Sequence, residues 1–268
     1  MLRKLYAHEF RALYKRLFPV YIGLAVITLM TRASYFIDTE KSDFMLGSII
    51  KGSAVTLSIL GIGAMAVISS VIIILRFYKN LLGNEGYLTF SLPVTPLNHI
   101  WCKLITAFVG TVTTIIVALG AIVALLIGNG WFTEMYTALK EGLCAICKTF
   151  GAAKSAVLLS QIVILAIVSV AMGLLMVYVS MSFGQRFKKR VGGSILTFAV
   201  IYIIMQAVET AIAILAIAFS GSITRLVTEN VFLAATVGLS LCIVYELILA
   251  TTFFIITHYM LTKKLNLE

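Results

Sequence analysis

The chain has 268 residues, of which 61% are hydrophobic and 12% are charged, and its formal net charge is +10. Soluble domains are about 45–50% apolar and about 25% charged. This composition therefore excludes a soluble enzyme, a disordered protein and a secreted disulfide scaffold, and it indicates that the chain folds in a lipid bilayer.

The first segment, 1–18, is predicted to be an amphipathic helix that lies in the cytoplasmic membrane interface. It carries five basic side chains, Glu9 and no apolar run, so we do not expect a cleaved signal peptide. At helical spacing, one face is apolar and comprises Leu2, Leu5, Tyr6, Phe10, Leu13 and Leu17. Such a face suits an interfacial helix. The alternative is a helix that packs on a partner protein.

Six apolar segments follow, each long enough to cross a membrane. A transmembrane helix needs roughly 20 apolar residues to cross about 30 Å of hydrocarbon. The predicted spans are 19–37, 52–75, 104–127, 155–183, 191–219 and 231–260. We expect all of them to be helices, because an isolated strand leaves its backbone unsatisfied in lipid. The predicted fold class is an all-α polytopic membrane protein with a single transmembrane domain.

A second amphipathic helix, over 133–150, is predicted between the third and fourth spans. Its apolar residues share one face, as expected of a helix that lies in the plane of the outer interface. A structured loop with no part in transport is the alternative. Cys144 and Cys147 form a C-x-x-C motif here, and the sequence leaves open whether they act as a disulfide or redox pair.

The charge distribution predicts the orientation of these spans. Of the 21 Lys and Arg residues, 14 fall on the side that holds both termini and 7 on the opposite side. With the acidic residues included, the two sides carry +11 and +1. Positive loops favour the cytoplasm, so both termini are predicted to lie inside. Membrane insertion accounts for the net charge, and no nucleic-acid partner is needed.

Motifs for catalysis or cofactor binding are missing from the sequence. It contains no phosphate-binding loop of the G-x-x-x-x-G-K-[ST] type and no H-E-x-x-H or G-x-S-x-G motif. His8, His99 and His258 stand near the ends of separate segments. We therefore expect no catalytic residue, no metal site and no cofactor on this chain.

Two carboxylates interrupt the last two spans. A charged group inside the membrane costs several kcal/mol unless it is protonated, paired or hydrated. Gln206, Glu209 and Thr210 form a polar track on the fifth span, and Glu246 lies in the sixth. These four residues are candidates for a transport pathway. Hydrogen-bonded contacts between helices are the alternative role.

The cytoplasmic link between the second and third spans, 78–98, is unusually long. Gly83 and Gly86 permit tight turns, whereas Pro93 and Pro96 prevent a continuous helix. Exposed apolar patches often mark interaction sites. The link therefore has the character of a docking surface, with apolar side chains at Leu81, Leu82, Tyr87, Leu88 and Phe90.

Residues 77–94 resemble the corresponding loop of bacterial ABC-2-type transporter permeases, in particular the six-span permeases of Gram-positive bacteria. Those proteins often have G-D-E-G-Y-L-T at this place. The motif here is Gly83-Asn84-Glu85-Gly86-Tyr87-Leu88-Thr89. Asn84 departs from the usual acid but is similar in size. The resemblance extends to the layout of the spans over the whole chain, and to recognisable sequence in this loop alone.

The resemblance implies a permease subunit of an ATP-driven exporter in a bacterial plasma membrane. ATP and Mg would bind to a separate cytoplasmic ATPase, and a second permease chain would complete a homodimer or heterodimer. The segment 1–18 would match the helix that precedes the first span in that family. Members export peptides, antibiotics, lipids or glycans. The residues expected to couple the loop to the ATPase are Gly83, Glu85, Gly86, Tyr87 and Leu88.

The sequence leaves two other classes of function as alternatives. An ATP-independent carrier or channel would use Glu209 and Glu246 in its conduction path. An intramembrane enzyme would need catalytic groups that converge at one depth, and two glutamates without a nearby histidine in the membrane offer little for that role.

Overall fold

The structure is a computed structural model that describes residues 2–35, 44–82, 95–127, 131–187, 189–218 and 230–263. These residues form seven α-helices and contain no β-strand. The helices are α1 (Leu2–Ser34), α2 (Phe44–Phe77), α3 (Pro96–Leu126), α4 (Trp131–Phe150), α5 (Ala152–Gly184), α6 (Arg190–Ala218) and α7 (Val231–Lys263). A π-helical turn, Tyr78–Leu82, extends α2.

Six of the seven helices are long and apolar enough to cross a membrane, and α4 is the exception. The predicted all-α, six-span fold class is therefore confirmed, and the chain is a multi-pass membrane protein. The predicted helix over 133–150 is present as α4. In α4 every residue is at least partly exposed.

Several helices extend beyond the predicted spans. The predicted segments 1–18 and 19–37 join in one helix, α1, which passes through Pro19 without a break. Likewise, α2 begins at Phe44 and α3 at Pro96, each eight residues before the predicted start. Apolar runs end at the first charged side chain, whereas backbone hydrogen bonds continue through polar residues. Hydropathy therefore finds the membrane-embedded part of a helix and not its ends.

The described residues cluster into two compact units. The first comprises Met1–Arg76 and Ile105–Lys140, and the second comprises Phe77–Leu104 and Glu141–Glu268. In the first unit, Leu24, Met65 and Ala121 bring α1, α2 and α3 together in an apolar core.

The N-terminal half of α1 packs inside the first unit. Leu13 and Leu17 are fully buried. A Cβ added at Gly110 of α3 would lie 2.9 Å from Cδ2 of Leu13, so the glycine allows the two helices to approach closely. Tyr14 donates a hydrogen bond to Thr113 of α3 at 3.2 Å. Part of the face predicted to lie against lipid thus contacts the chain's own helices.

In the second unit, α5 packs against both α6 and α7. The connection from α5 to α6 is tight, because a Cβ added at Gly184 would lie 2.6 Å from the backbone nitrogen of Ser194. Within α6, the most apolar stretch has no buried residue. Lipid is as apolar as these side chains, so their exposure carries no penalty in a membrane.

Candidate functional site

The five predicted coupling residues, Gly83, Glu85, Gly86, Tyr87 and Leu88, lie outside the described residues. The structure does define both ends of the segment that contains them. The π-helical turn continues the chain to Leu82. On the other side, the carbonyl of Thr95 accepts a hydrogen bond from the amide of Asn98 at 3.0 Å, which starts α3. The predicted link 78–98 is therefore helical at each end.

The residues that lead into the loop are packed firmly in the second unit. Phe77 stacks on Tyr178 of α5, with ring centroids 3.7 Å apart and ring planes 8° apart. The hydroxyl of Tyr178 donates to the carbonyl of Lys103, near the start of α3, at 3.3 Å. Leu81, inside the π-helical turn, is fully buried. The loop therefore begins from a fixed base and not from a frayed helix end.

A buried ion pair joins α1 to α2 in the first unit. Arg76 donates from Nε and from Nη2 to the same carboxylate oxygen of Glu9, at 2.9 and 2.7 Å. Each side chain is only 7% exposed. Charge-assisted contacts of this kind are short and strong. Sequence reasoning missed this pair, although Glu9 stood out as the single acid among the five basic residues of its segment.

Glu246 lies near the middle of α7 and contacts α5. The hydroxyl of Ser169 donates to its carboxyl group, with Oγ 2.8 Å from Oε1 and 2.7 Å from Oε2. A second polar contact joins the same helices, where Nε2 of Gln161 lies 3.0 Å from Oγ of Ser240. Sequence reasoning identified Glu246 but not its partner. A serine inside an apolar span gives no signal of its own, whereas Gln161 could have been noticed as an uncharged amide in the fourth span.

The other predicted pathway residues, Gln206, Glu209 and Thr210, lie on an exposed part of α6. The hydroxyl of Thr210 donates back to the carbonyl of Gln206 at 2.7 Å, so it is satisfied within its own helix. Glu209 is thus exposed on α6, whereas Glu246 contacts α5, and the structure shows no hydrogen bond between these two carboxyl groups.

Groups able to bind metal do not converge in the part of the chain that the structure describes. There, no cluster of three or more His, Cys, Asp or Glu side chains is found. Cys144 and Cys147 are both exposed on α4 as free thiols. His99 is buried, whereas His8 is exposed on a different helix.

Comparisons of the chain with models of protein families, with curated proteins and with solved structures gave no match.

Proposed function

We propose that this chain is the membrane-spanning permease subunit of an ATP-driven exporter of the ABC-2 type in a bacterial plasma membrane. It would act with a separate cytoplasmic ATPase and with a second permease chain. The observation that carries the proposal is the motif Gly83 to Thr89, which stands between two membrane-crossing helices. The cargo would be a peptide, antibiotic, lipid or similar molecule moved outward.

The packing at the base of the loop supports a coupling role. A docking loop transmits force only if its ends are attached to rigid elements. Phe77 and Leu81 are buried at one end, and Tyr178 bonds to the backbone of Lys103 near the other. A push on the loop by a closing ATPase would therefore displace the adjoining helix ends as rigid bodies.

The ion pair between Glu9 and Arg76 supports the same role in the first unit. Arg76 is at the last turn of α2, immediately before the residues that enter the loop. Its buried bond to Glu9 attaches this turn to α1. Movement of the end of α2 would thus reach the first span directly.

The test is substitution of the loop followed by purification with the ATPase. Glu85→Ala combined with Tyr87→Ala should abolish substrate-stimulated ATP hydrolysis while leaving membrane insertion intact. Glu85 would pair with a basic residue of the ATPase, and Tyr87 would fill an apolar pocket. The matched control is Glu141→Ala with Tyr136→Ala, which changes the same residue types on exposed positions of α4. A loop variant that stays fully coupled contradicts the proposal.

An ATP-independent carrier or channel is the second candidate, and the contact of Ser169 with Glu246 favours it. A carboxyl group held near the middle of a span is typical of ion and proton pathways. This candidate predicts transport in liposomes that contain the chain alone, and loss of that transport in Glu246→Gln. Transport that requires a copurified ATPase would exclude it.

A further inference from the structure

An apolar cavity of about 570 Å³ lies in the first unit. It is lined by the C-terminal ends of α1 and α3, the N-terminal part of α2 and the start of α4. Its volume falls within the range of about 300–1,000 Å³ that is usual for small-molecule sites. The charge distribution predicts that this end of the unit faces outward.

The inner part of the cavity is hydrophobic. Val55, Ile59 and Ile62 line it from α2, and Ile122 and Leu125 line it from α3. The lining residues of α2 run from Lys51 at the mouth to Ile62 at the inner end, so the cavity extends for about 16 Å along the helix axis at 1.5 Å per residue. That length is about half of the roughly 30 Å hydrocarbon core, or one leaflet.

Among the described residues, those at the mouth of the cavity are polar and include a positive charge. Among the residues that the structure describes, Lys51 is the one charged side chain that lines the cavity, and it makes no hydrogen bond or ion pair with any other of them. Tyr35 and Trp131 stand beside it, and aromatic side chains of this kind occupy the headgroup level of a bilayer. The guanidinium of Arg32 lies 6.0 Å from the Tyr35 ring centroid and adds a second cation.

The walls at the mouth are held in place. Arg32 donates a hydrogen bond from Nη1 to the backbone carbonyl of Ile127, which ties the end of α1 to the end of α3. The opening is thus set by contacts within the first unit.

We propose that this cavity binds one acidic phospholipid of the outer leaflet. Its phosphate would lie at Lys51, and an acyl chain would extend between α2 and α3 toward Ile62. Charge complementarity to Lys51 selects an anionic headgroup, and a cavity of one-leaflet length with an apolar inner part selects a lipid chain. Because the lining helices cross a membrane, phospholipid is also the amphiphile that is most abundant at the mouth. The inference is independent of the proposed function.

The experiment compares lipid retention by purified variants. The full chain is reconstituted in nanodiscs with equal amounts of phosphatidylglycerol and phosphatidylcholine, extracted in mild detergent, and weighed by native mass spectrometry. The wild type should retain one phosphatidylglycerol. Lys51→Gln should reduce the preference for phosphatidylglycerol about fivefold, since one basic side chain near the headgroups contributes about 1 kcal/mol. The control Lys140→Gln, at an exposed lysine of α4, should leave the preference unchanged.

A second pair of variants tests occupancy of the cavity itself. Gly52 lines the cavity, and a Cβ added there would meet no atom within 4 Å, so Gly52→Phe should fold and fill the space. Its control, Gly63→Phe, adds the same ring at an equally open glycine that does not line the cavity. Only Gly52→Phe should lose the retained lipid. Equal retention of the two lipids by the wild type, or unchanged retention in Gly52→Phe, overturns the proposal.

Discussion

The hydroxyl of Ser169 on α5 donates a hydrogen bond to the carboxyl group of Glu246 on α7, with Oγ 2.8 Å from Oε1 and 2.7 Å from Oε2. This contact joins the fourth and sixth spans near the middle of α7. Within the described ranges, Ser169 is the one residue that hydrogen-bonds to the Glu246 carboxyl group. Substitution of Ser169 therefore tests whether its contact with Glu246 stabilises the fold.

Ser169→Ala should lower the free energy of unfolding by about 0.6 kcal/mol and at most about 1.7 kcal/mol, which are the values measured for hydrogen bonds between membrane helices. Thermal unfolding in detergent would detect the change. Ser160→Ala is the control, because the Ser160 hydroxyl bonds only to the carbonyl of Val157 in its own helix. Equal shifts for the two variants would show that the contact between α5 and α7 does not stabilise the fold.

The ion pair of Glu9 and Arg76 should be more sensitive to substitution. Removal of one partner leaves a buried charge without compensation, which costs about 3–5 kcal/mol. Glu9→Gln and Arg76→Gln should each lower stability strongly, and the double variant should lose less than the sum. Chemical unfolding of the four proteins gives the coupling energy. Arg16→Gln, at an exposed arginine of α1, should have little effect. Additive losses would argue against a direct interaction.

The tight connection between α5 and α6 predicts a marked effect of a single methyl group. In Gly184→Ala, the new Cβ would lie 2.6 Å from the nitrogen and 2.7 Å from the Cα of Ser194, so the backbone must shift. Overpacking of this kind costs about 1–3 kcal/mol. Gly173→Ala lies on the same helix and meets no atom within 4 Å. The first variant should give a lower yield and melting temperature, and the second should match the wild type.

The cysteines allow a test of orientation. Cys144 and Cys147 are exposed on α4, whereas Cys102 is 1% exposed on α3. In single-cysteine variants in intact cells, a membrane-impermeant maleimide should label Cys144 and Cys147 from outside and should leave Cys102 unlabelled. If α4 is labelled only after the cells are opened, the orientation that the charge distribution predicts is wrong.

The number and approximate position of the spans could be predicted from sequence because they depend on local apolar content. Contacts between helices could not. Glu9 and Arg76 are 67 positions apart, and Ser169 and Glu246 are 77 apart. No periodicity within one helix shows which helix lies beside it. The polar track on α6 illustrates this limit, since a shared face predicted a site but did not indicate that the face is exposed in the single chain.

The ends of the helices could not be predicted from hydropathy either. Arg76, for example, ends an apolar run, yet the helix passes through it and a helical turn continues to Leu82. The cavity at Lys51 is a further case. A lone lysine at the start of a span is read as an orientation signal, and only packing shows that it stands at the mouth of an apolar space.

Because α1 is one continuous helix, it can transmit movement from one face of the membrane to the other. Its 33 residues span about 50 Å, so a tilt of about 10° moves one end relative to the other by about 9 Å. Glu9 and its partner lie in the N-terminal half of this helix, and Arg32, beside the cavity, lies in its last turn. Pro19, which deprives the Lys15 carbonyl of its helical donor, lies between them as the softest point. A displacement at one face of the membrane would thus reach the opposite leaflet through one helix, without any intervening loop.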